Sequence, residues 1–206
     1  MLHLKQLTPD QQTGVLALIK SATDHDQIPP ISDHILLHLR HGGDKSDSHL
    51  VITENEKIIG YAHLDQTDLV AGPAVELVVD VEHRQSDVGN QLLSEAIKIC
   101  GKRLRLWSHG DLPAASKLAI ANNFIKVRTV IQMIVDLGEI KQIDEIDSAI
   151  TIRTFLPGLD SDNWLTLNNK AFTNHPEQGN WSINDLNLRL KEDWFDEKGF
   201  FIAEKD

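Results

Sequence analysis

Between Val75 and Cys100 the hydrophobic period of the chain changes. Val75–Val81 is an apolar, β-branched run of strand length, and Glu82–Asp87 is polar. Val88, Leu92, Leu93, Ala96, Ile97 and Ile99 then recur at helical spacing. The pattern predicts a strand, a turn and a helix. The first amides of such a helix have no partner within it and lie at the positive end of its dipole, so they suit a phosphate. Arg84 in the turn is placed to add a charge-assisted bond. On periodicity alone, an ordinary βα unit of an α/β domain is the better reading.

The flanking segments extend the pattern. Leu2, Leu4 and Leu7 read as a short strand. Thr8-Pro9-Asp10 then opens a helix carrying Val15, Leu16, Leu18 and Ile19. After a loop over Asp24–Pro30, Ser32 and Asp33 open a second helix with Ile35, Leu36 and Leu39. A second loop, Gly42–Ser48, leads to strands over Leu50–Thr53 and Lys57–Leu64, joined at Glu54-Asn55-Glu56 as a hairpin. Beyond the central unit, Leu104–Ser108 reads as a strand, followed by His109-Gly110. Pro113–Asn122 reads as a helix turning Ala114, Leu118 and Ala121 inward. Phe124–Leu137 alternates over a length sufficient for two strands. The predicted order is βααβββαβαββ.

Polar, acidic Glu139–Ser148 reads as a linker, and then the pattern restarts. Ile150–Phe155 is strand-like, Asp162–Phe172 and Ser182–Trp194 are helical, and Phe200–Ala203 opens another strand. This is βααβ again, an internal repeat with a period of about 150 residues. The expected domains are 1–138, a linker at 139–149, and 150–206 as the first elements of an incomplete second repeat. Three of four tryptophans and five of six phenylalanines fall after Ile150, more aromatic surface than a strand and two helices can cover. A further C-terminal repeat or self-association is expected to cover it.

Composition narrows the class. At 41% hydrophobic and 25% charged residues the chain reads as soluble and globular. It has no apolar run of membrane-spanning length, and Met1-Leu-His-Leu-Lys-Gln lacks a signal-peptide layout. A cytoplasmic location and no membrane partner are expected. A net charge of −11 without a basic block argues against nucleic acid. Cys100, the lone cysteine, reads as a packed thiol. The ten histidines offer no H-x-E or H-x3-H spacing in a context that suggests a ligand set, so no metal is expected.

Arg84-Gln85-Ser86-Asp87-Val88-Gly89 resembles the R/Q-x-x-G-x-G/A acyl-CoA signature of the Gcn5-related N-acetyltransferases. It departs at Asp87, where the family has its first glycine, and keeps the second at Gly89. The element order matches that family too. The resemblance implies an α/β (α+β) fold with a mixed central sheet flanked by helices and a truncated second repeat. Asn168–Trp181, with His175-Pro-Glu-Gln-Gly179 inside it, is similar to the mycothiol synthase family. So are Glu192–Asp196, Ala74–Val79 and Ile131-Gln-Met133.

Those enzymes are tandem acetyltransferases that move acetyl from acetyl-CoA to the cysteinyl amine of cysteinyl-glucosaminyl-inositol. Their C-terminal repeat performs the chemistry, while the N-terminal one binds acetyl-CoA. By this resemblance the backbone amides of Leu77, Val78 and Val79 would orient the acetyl and pantetheine groups. Arg84, Gln85, Ser86, Asp87, Val88, Gly89 and Asn90 would hold the pyrophosphate. The family's usual leaving-group tyrosine falls at Ala119, and the one tyrosine, Tyr61, lies in the hairpin. No catalytic residue is therefore assigned, and binding without turnover is expected.

Asp33 and Glu177 align with acids that contact the amine acceptor, although they also read as a helix-start acid and a solvated loop acid. A small acetyltransferase acting on another amine, and a module that senses acetyl-CoA without chemistry, remain as alternatives.

Overall fold

Alternating residues in the central strands of the first unit feed two different cores. A computed structural model describes residues 1–42, 47–67, 72–101, 103–136, 138, 147–173 and 181–205. It divides into two units, Met1–Ile125 and Lys126–Asp206. The first unit contains β1 (Leu2–Leu4), α1 (Pro9–Asp26), α2 (Asp33–His41), β2 (Ser48–Glu54), β3 (Lys57–Asp65) and β4 (Ala74–Val79). It continues with α3 (Val88–Cys100), β5 (Arg105–Leu106) and α4 (Pro113–Ala121). The sheet order is β1-β2-β3-β4-β5. All neighbours are antiparallel except β4 and β5, which are parallel.

Val51, Tyr61 and Val78 point from the sheet into a core with Val15, Leu18 and Ile19 of α1 and Ile35 and Leu39 of α2. Leu50, Ala62, Leu64 and Val75 point the other way, onto Val88, Leu92, Leu93 and Ala96 of α3. A sheet covered on both faces explains why its strands are nearly continuous in apolar residues. Thr8 begins α1 with a capping box shared with Gln11. The β2–β3 hairpin turns through Asn55 and Glu56, both at positive φ (48° and 65°), as two-residue hairpin turns require.

The helix layer is held close to the sheet at Gly60. A Cβ on this residue would stand 2.6 Å from Val88 Cγ1 and 3.1 Å from Leu92 Cδ1. Gly60 pairs with Val79 across β3–β4, so this close approach sets the first turn of α3 against the end of β4.

The two strands expected between Phe124 and Leu137 do not form over residues 124–136; Leu137 lies outside the described residues. Phe124 packs on the α3-side core, but beyond it Val127, Ile131, Met133 and Ile134 are exposed, Ile134 to 92%. Alternation supplies a face, but a strand also needs a partner for its ladder of hydrogen bonds. None of the described strands pairs with this segment.

In the second unit β6 (Ile150–Thr154) and β7 (Phe201–Lys205) pair antiparallel, with α5 (Ser161–Ala171) and α6 (Ile183–Arg189) between them in sequence. The order is βααβ, as in the first unit. The second helix was expected over Ser182–Trp194 but ends at Arg189, with Leu190 as its C-cap. Past it, Glu192 and Phe195 make only three-residue backbone turns, and Phe195 swings onto the Phe200 ring at 6.0 Å.

Phe155, Leu165 and Leu186 form a small core with Trp164, Trp181 and Phe200 packed on it, while Trp194 and Phe201 stay exposed. Arg153 ties the unit's ends together. It holds Asp160 through Nη1 and Nη2 at 2.6 and 2.8 Å, and Glu204 at 2.7 and 3.0 Å.

Gly60→Val tests the close approach of α3. The substitution is expected to destabilise the first unit by about 1–3 kcal/mol, the range for overpacking, read by urea unfolding. Gly60→Ala should cost less.

Candidate functional site

β4 is paired unequally on its two sides. Against β3 it is matched along its whole length, from Asp65↔Ala74 to Gly60↔Val79. Against β5 it is matched only at Ala74↔Arg105 and Val75↔Leu106, with the Arg105 and Trp107 amides donating to the Pro73 and Val75 carbonyls. Backbone groups alternate sides along a strand. The amides and carbonyls of Leu77 and Val79 therefore face the side that β5 has left, whereas Val78 faces β3. Arg84 Nε reaches the Val79 carbonyl at 3.4 Å. The Leu77 amide and carbonyl and the Val79 amide have no strand across them among the described residues.

The turn after β4 is fastened to the sheet. Asp80 accepts from Lys57 Nζ at 3.0 Å and from His83 Nδ1 at 2.7 Å, and His83 Nε2 reaches Glu54 at 3.0 Å. Hydrogen bonding to Asp80, and then to Glu54, raises the His83 pKa. Arg84 makes a two-pronged ion pair with Asp26 at the end of α1, at 2.7 and 2.6 Å, and this bonding lowers the Asp26 pKa. The guanidinium was expected to meet an anion; here it anchors the turn to α1. Gln85 takes φ 66°, and the Ser86 hydroxyl donates to the His83 carbonyl.

The chain then enters α3. Asp87 is its N-cap, exposed and making no capping bond; its carboxylate accepts from Gln91 Nε2 at 3.3 Å. The first-turn amides of Val88, Gly89 and Asn90 are thus left to face whatever lies beyond the helix end. Gly89 fits between neighbours, since a Cβ there would meet Leu118 Cδ2 of α4 at 3.3 Å and Val79 Cγ2 at 3.7 Å. Asn90 accepts from Asn122 at 3.0 Å, tying α3 to the end of α4. The ten residues expected at the acyl-CoA site lie at the end of β4, in the turn after it and in the first turn of α3.

On the other face of β4 the structure assembles a group that sequence reasoning missed. Glu76 is buried mid-strand. Its Oε2 accepts from the Ser32 amide at 2.7 Å and from His109 Nε2 at 3.0 Å. Gly110, at φ +76°, holds the following turn, where a Cβ would run into Ile28 at 2.3 Å. Asp33, next to Ser32, is exposed at the start of α2 and adds a favourable field at His109. The Glu76 hydrogen bond, outweighing desolvation, raises the His109 pKa above its ordinary value. The sequence signal was available: a glutamate interrupting an apolar strand. Glu177 lies outside the described residues.

Other candidates fall away from this edge. Tyr61 is fully buried, bonded to His49 Nδ1 at 2.8 Å, and its pKa is raised well above the phenolic value, chiefly by desolvation. Ala119 sits on α4 and carries no acid. Cys100 is half-buried and burial raises its pKa, which suits the packed thiol expected.

Comparison with known proteins places this architecture. A mycothiol acetyltransferase of Acidothermus cellulolyticus is 43% identical over 204 residues, 98% of this chain and 62% of the relative. Another, of Thermomonospora curvata, is 42% identical over 202 residues, 97% of this chain and 67% of the relative. The chain belongs to the mycothiol acetyltransferase family.

It spans 62% of the Acidothermus relative's length and 60% of that of a third mycothiol acetyltransferase, of Streptosporangium roseum, 40% identical over 204 residues. Among solved structures, a Gcn5-related N-acetyltransferase from Sphaerobacter thermophilus aligns with a TM-score of 0.62 at 18% identity, over 99% of this chain and 67% of that one. The fold is that of the Gcn5-related N-acetyltransferases. No family model matches the sequence, and no described helix is long and apolar enough to cross a membrane.

Membership in the mycothiol acetyltransferase family leaves the Glu76–His109 pair to be tested on this chain. In an NMR titration of the imidazoles, His109 is expected to titrate above about 6.5, and Glu76→Gln should bring it back down. The sign follows from linkage. A raised imidazole pKa stabilises the fold fully below about 6.5, and that contribution fades as pH rises through the folded-state value. A His109 value unmoved by Glu76→Gln would contradict the pairing.

Proposed function

We propose that the first unit is an acetyl-CoA-binding repeat of a mycothiol acetyltransferase. The whole enzyme would transfer acetyl from acetyl-CoA to the cysteinyl amine of cysteinyl-glucosaminyl-inositol. The observation that carries the reading is the half-paired edge of β4 leading directly into the N-terminus of α3. A pantetheine arm is an extended chain of amides, so it can replace β5 as the hydrogen-bonding neighbour of Leu77 and Val79. At the far end of this edge the amides of Val88, Gly89 and Asn90 and the α3 dipole suit the pyrophosphate. Gln85, Ser86 and Asp87 would rim that end. Arg84, committed to Asp26, would fix the turn and meet the pyrophosphate only at its flank.

Acetyl transfer needs an uncharged amine, an oriented thioester carbonyl and a proton for the departing thiolate. In this reading the Leu77–Val79 backbone orients the thioester, and Asp33 offers a carboxylate to the acceptor's hydroxyls and ammonium. The proton is what the first unit lacks, because Ala119 occupies the acid's position and Tyr61 is buried. Binding without turnover follows. The Glu76–His109 couple favours a second reading, in which this unit turns over another small amine using the pair to move protons.

Calorimetry and a turnover assay on the full chain separate these readings. Acetyl-CoA is expected to bind, and Asp87→Gly to tighten binding by roughly tenfold, the worth of removing one misplaced charge and restoring close backbone approach. No acetylation of the cysteinyl amine is expected. No binding at millimolar acetyl-CoA would remove the proposal. A steady-state rate on another small amine within about tenfold of the ~10 s⁻¹ typical of enzymes, lost in Glu76→Gln, would establish the second reading instead.

A further inference from the structure

We propose that His38, Asp47 and His63 form a buried binding site for a divalent first-row transition ion of the Zn²⁺ type. The three come from α2, from the residue preceding β2, and from the middle of β3, and all belong to the first unit. His38 Nδ1 lies 2.8 Å from Asp47 Oδ2, and His63 Nε2 lies 3.5 Å from the same oxygen. One ligand atom from each residue falls within 4.8 Å of the others. Tetrahedral zinc with bonds of about 2.0–2.2 Å places its donors roughly 3.3 Å apart, within the spacing already present.

His63 points to a ligand independently. Its side chain is 1% exposed, and neither ring nitrogen has a hydrogen-bond partner. A neutral imidazole always carries one N–H and one lone pair, and buried polar groups of this kind are nearly always satisfied. A purely hydrogen-bonded His–Asp–His chain would leave His63 as it stands, since 3.5 Å is beyond an N–H···O bond. A metal ion accepts the Nε2 lone pair and also neutralises the Asp47 charge in the core.

The donor chemistry selects the ion class. Two imidazoles with one carboxylate suit Zn²⁺, Co²⁺ or Ni²⁺, whereas Ca²⁺ and Mg²⁺ prefer all-oxygen sets. Side-chain exposures of 6%, 2% and 1% describe a closed site, with a bidentate Asp47 completing four donors. Such a site would be structural. It would pin α2, whose start carries Asp33 and the Ser32 amide bound to Glu76, onto β2 and β3.

The test uses the full chain without a polyhistidine tag, stripped with a chelator and titrated with Co²⁺ and then Zn²⁺. One equivalent of Co²⁺ is expected to give the intense visible bands of four-coordinate cobalt, which Zn²⁺ bleaches. Zn²⁺ should raise the melting temperature by roughly 4 °C or more. His63→Leu should abolish the bands. His38→Gln should weaken Zn²⁺ binding by more than the roughly 10–100-fold that loss of an outer-shell partner costs. Weak six-coordinate cobalt absorption with no Zn²⁺-dependent melting shift would overturn the proposal, as would intense bands persisting in folded His63→Leu. If neither variant folds, the wild-type spectrum and stoichiometry decide.

Discussion

The architecture of the first unit rests on a strand that is fully paired on one side and nearly bare on the other. β4 takes its register from β3 over six residue pairs and from β5 over two. Backbone amides and carbonyls left without partners are expensive when shielded from water, so this edge calls for water or a ligand as its hydrogen-bonding neighbour. The surrounding elements keep it that way. Gly60 lets α3 come down onto the sheet at Val79, the Asp80–His83–Glu54 and Asp26–Arg84 bonds hold the connecting turn, and Gly110 packs the chain after β5 against Ile28.

The two faces of β4 then serve different ends. Val75, Leu77 and Val79 belong to the α3 side, where the edge meets a helix N-terminus. Glu76 and Val78 belong to the α1–α2 side, where Glu76 gathers the Ser32 amide and His109 beside Asp33. Strand alternation alone separates the open backbone edge beside α3 from the Glu76–His109 pair. The second unit repeats the βααβ order with its own small aromatic core and an Arg153 clamp, and it leaves Trp194 and Phe201 exposed.

How much of this could be read from the chain depended on whether the signal was local. The strand–turn–helix at 75–100 and the hairpin at Asn55-Glu56 showed in the sequence because period and turn chemistry are local properties. The strands expected within 124–137 failed because alternation says nothing about a partner. The ion pair of Arg84 with Asp26 could not be read from the chain, because Asp26 lies 58 residues earlier. His38, Asp47 and His63 were invisible for the same reason, since their convergence exists only in the folded sheet. Glu76 was legible as an anomaly in an apolar strand, but its role required seeing His109 arrive from the turn after β5.

The most direct test of the account is to follow the backbone amides by ¹H–¹⁵N NMR as acetyl-CoA is added to the full chain. The largest shifts are expected at Leu77 and Val79 and at Val88, Gly89 and Asn90, with Val78, bonded to β3, moving little. Shifts centred on another surface, with Leu77 and Val79 unmoved at saturation, would contradict the claim that the open edge of β4 is the acyl-CoA site.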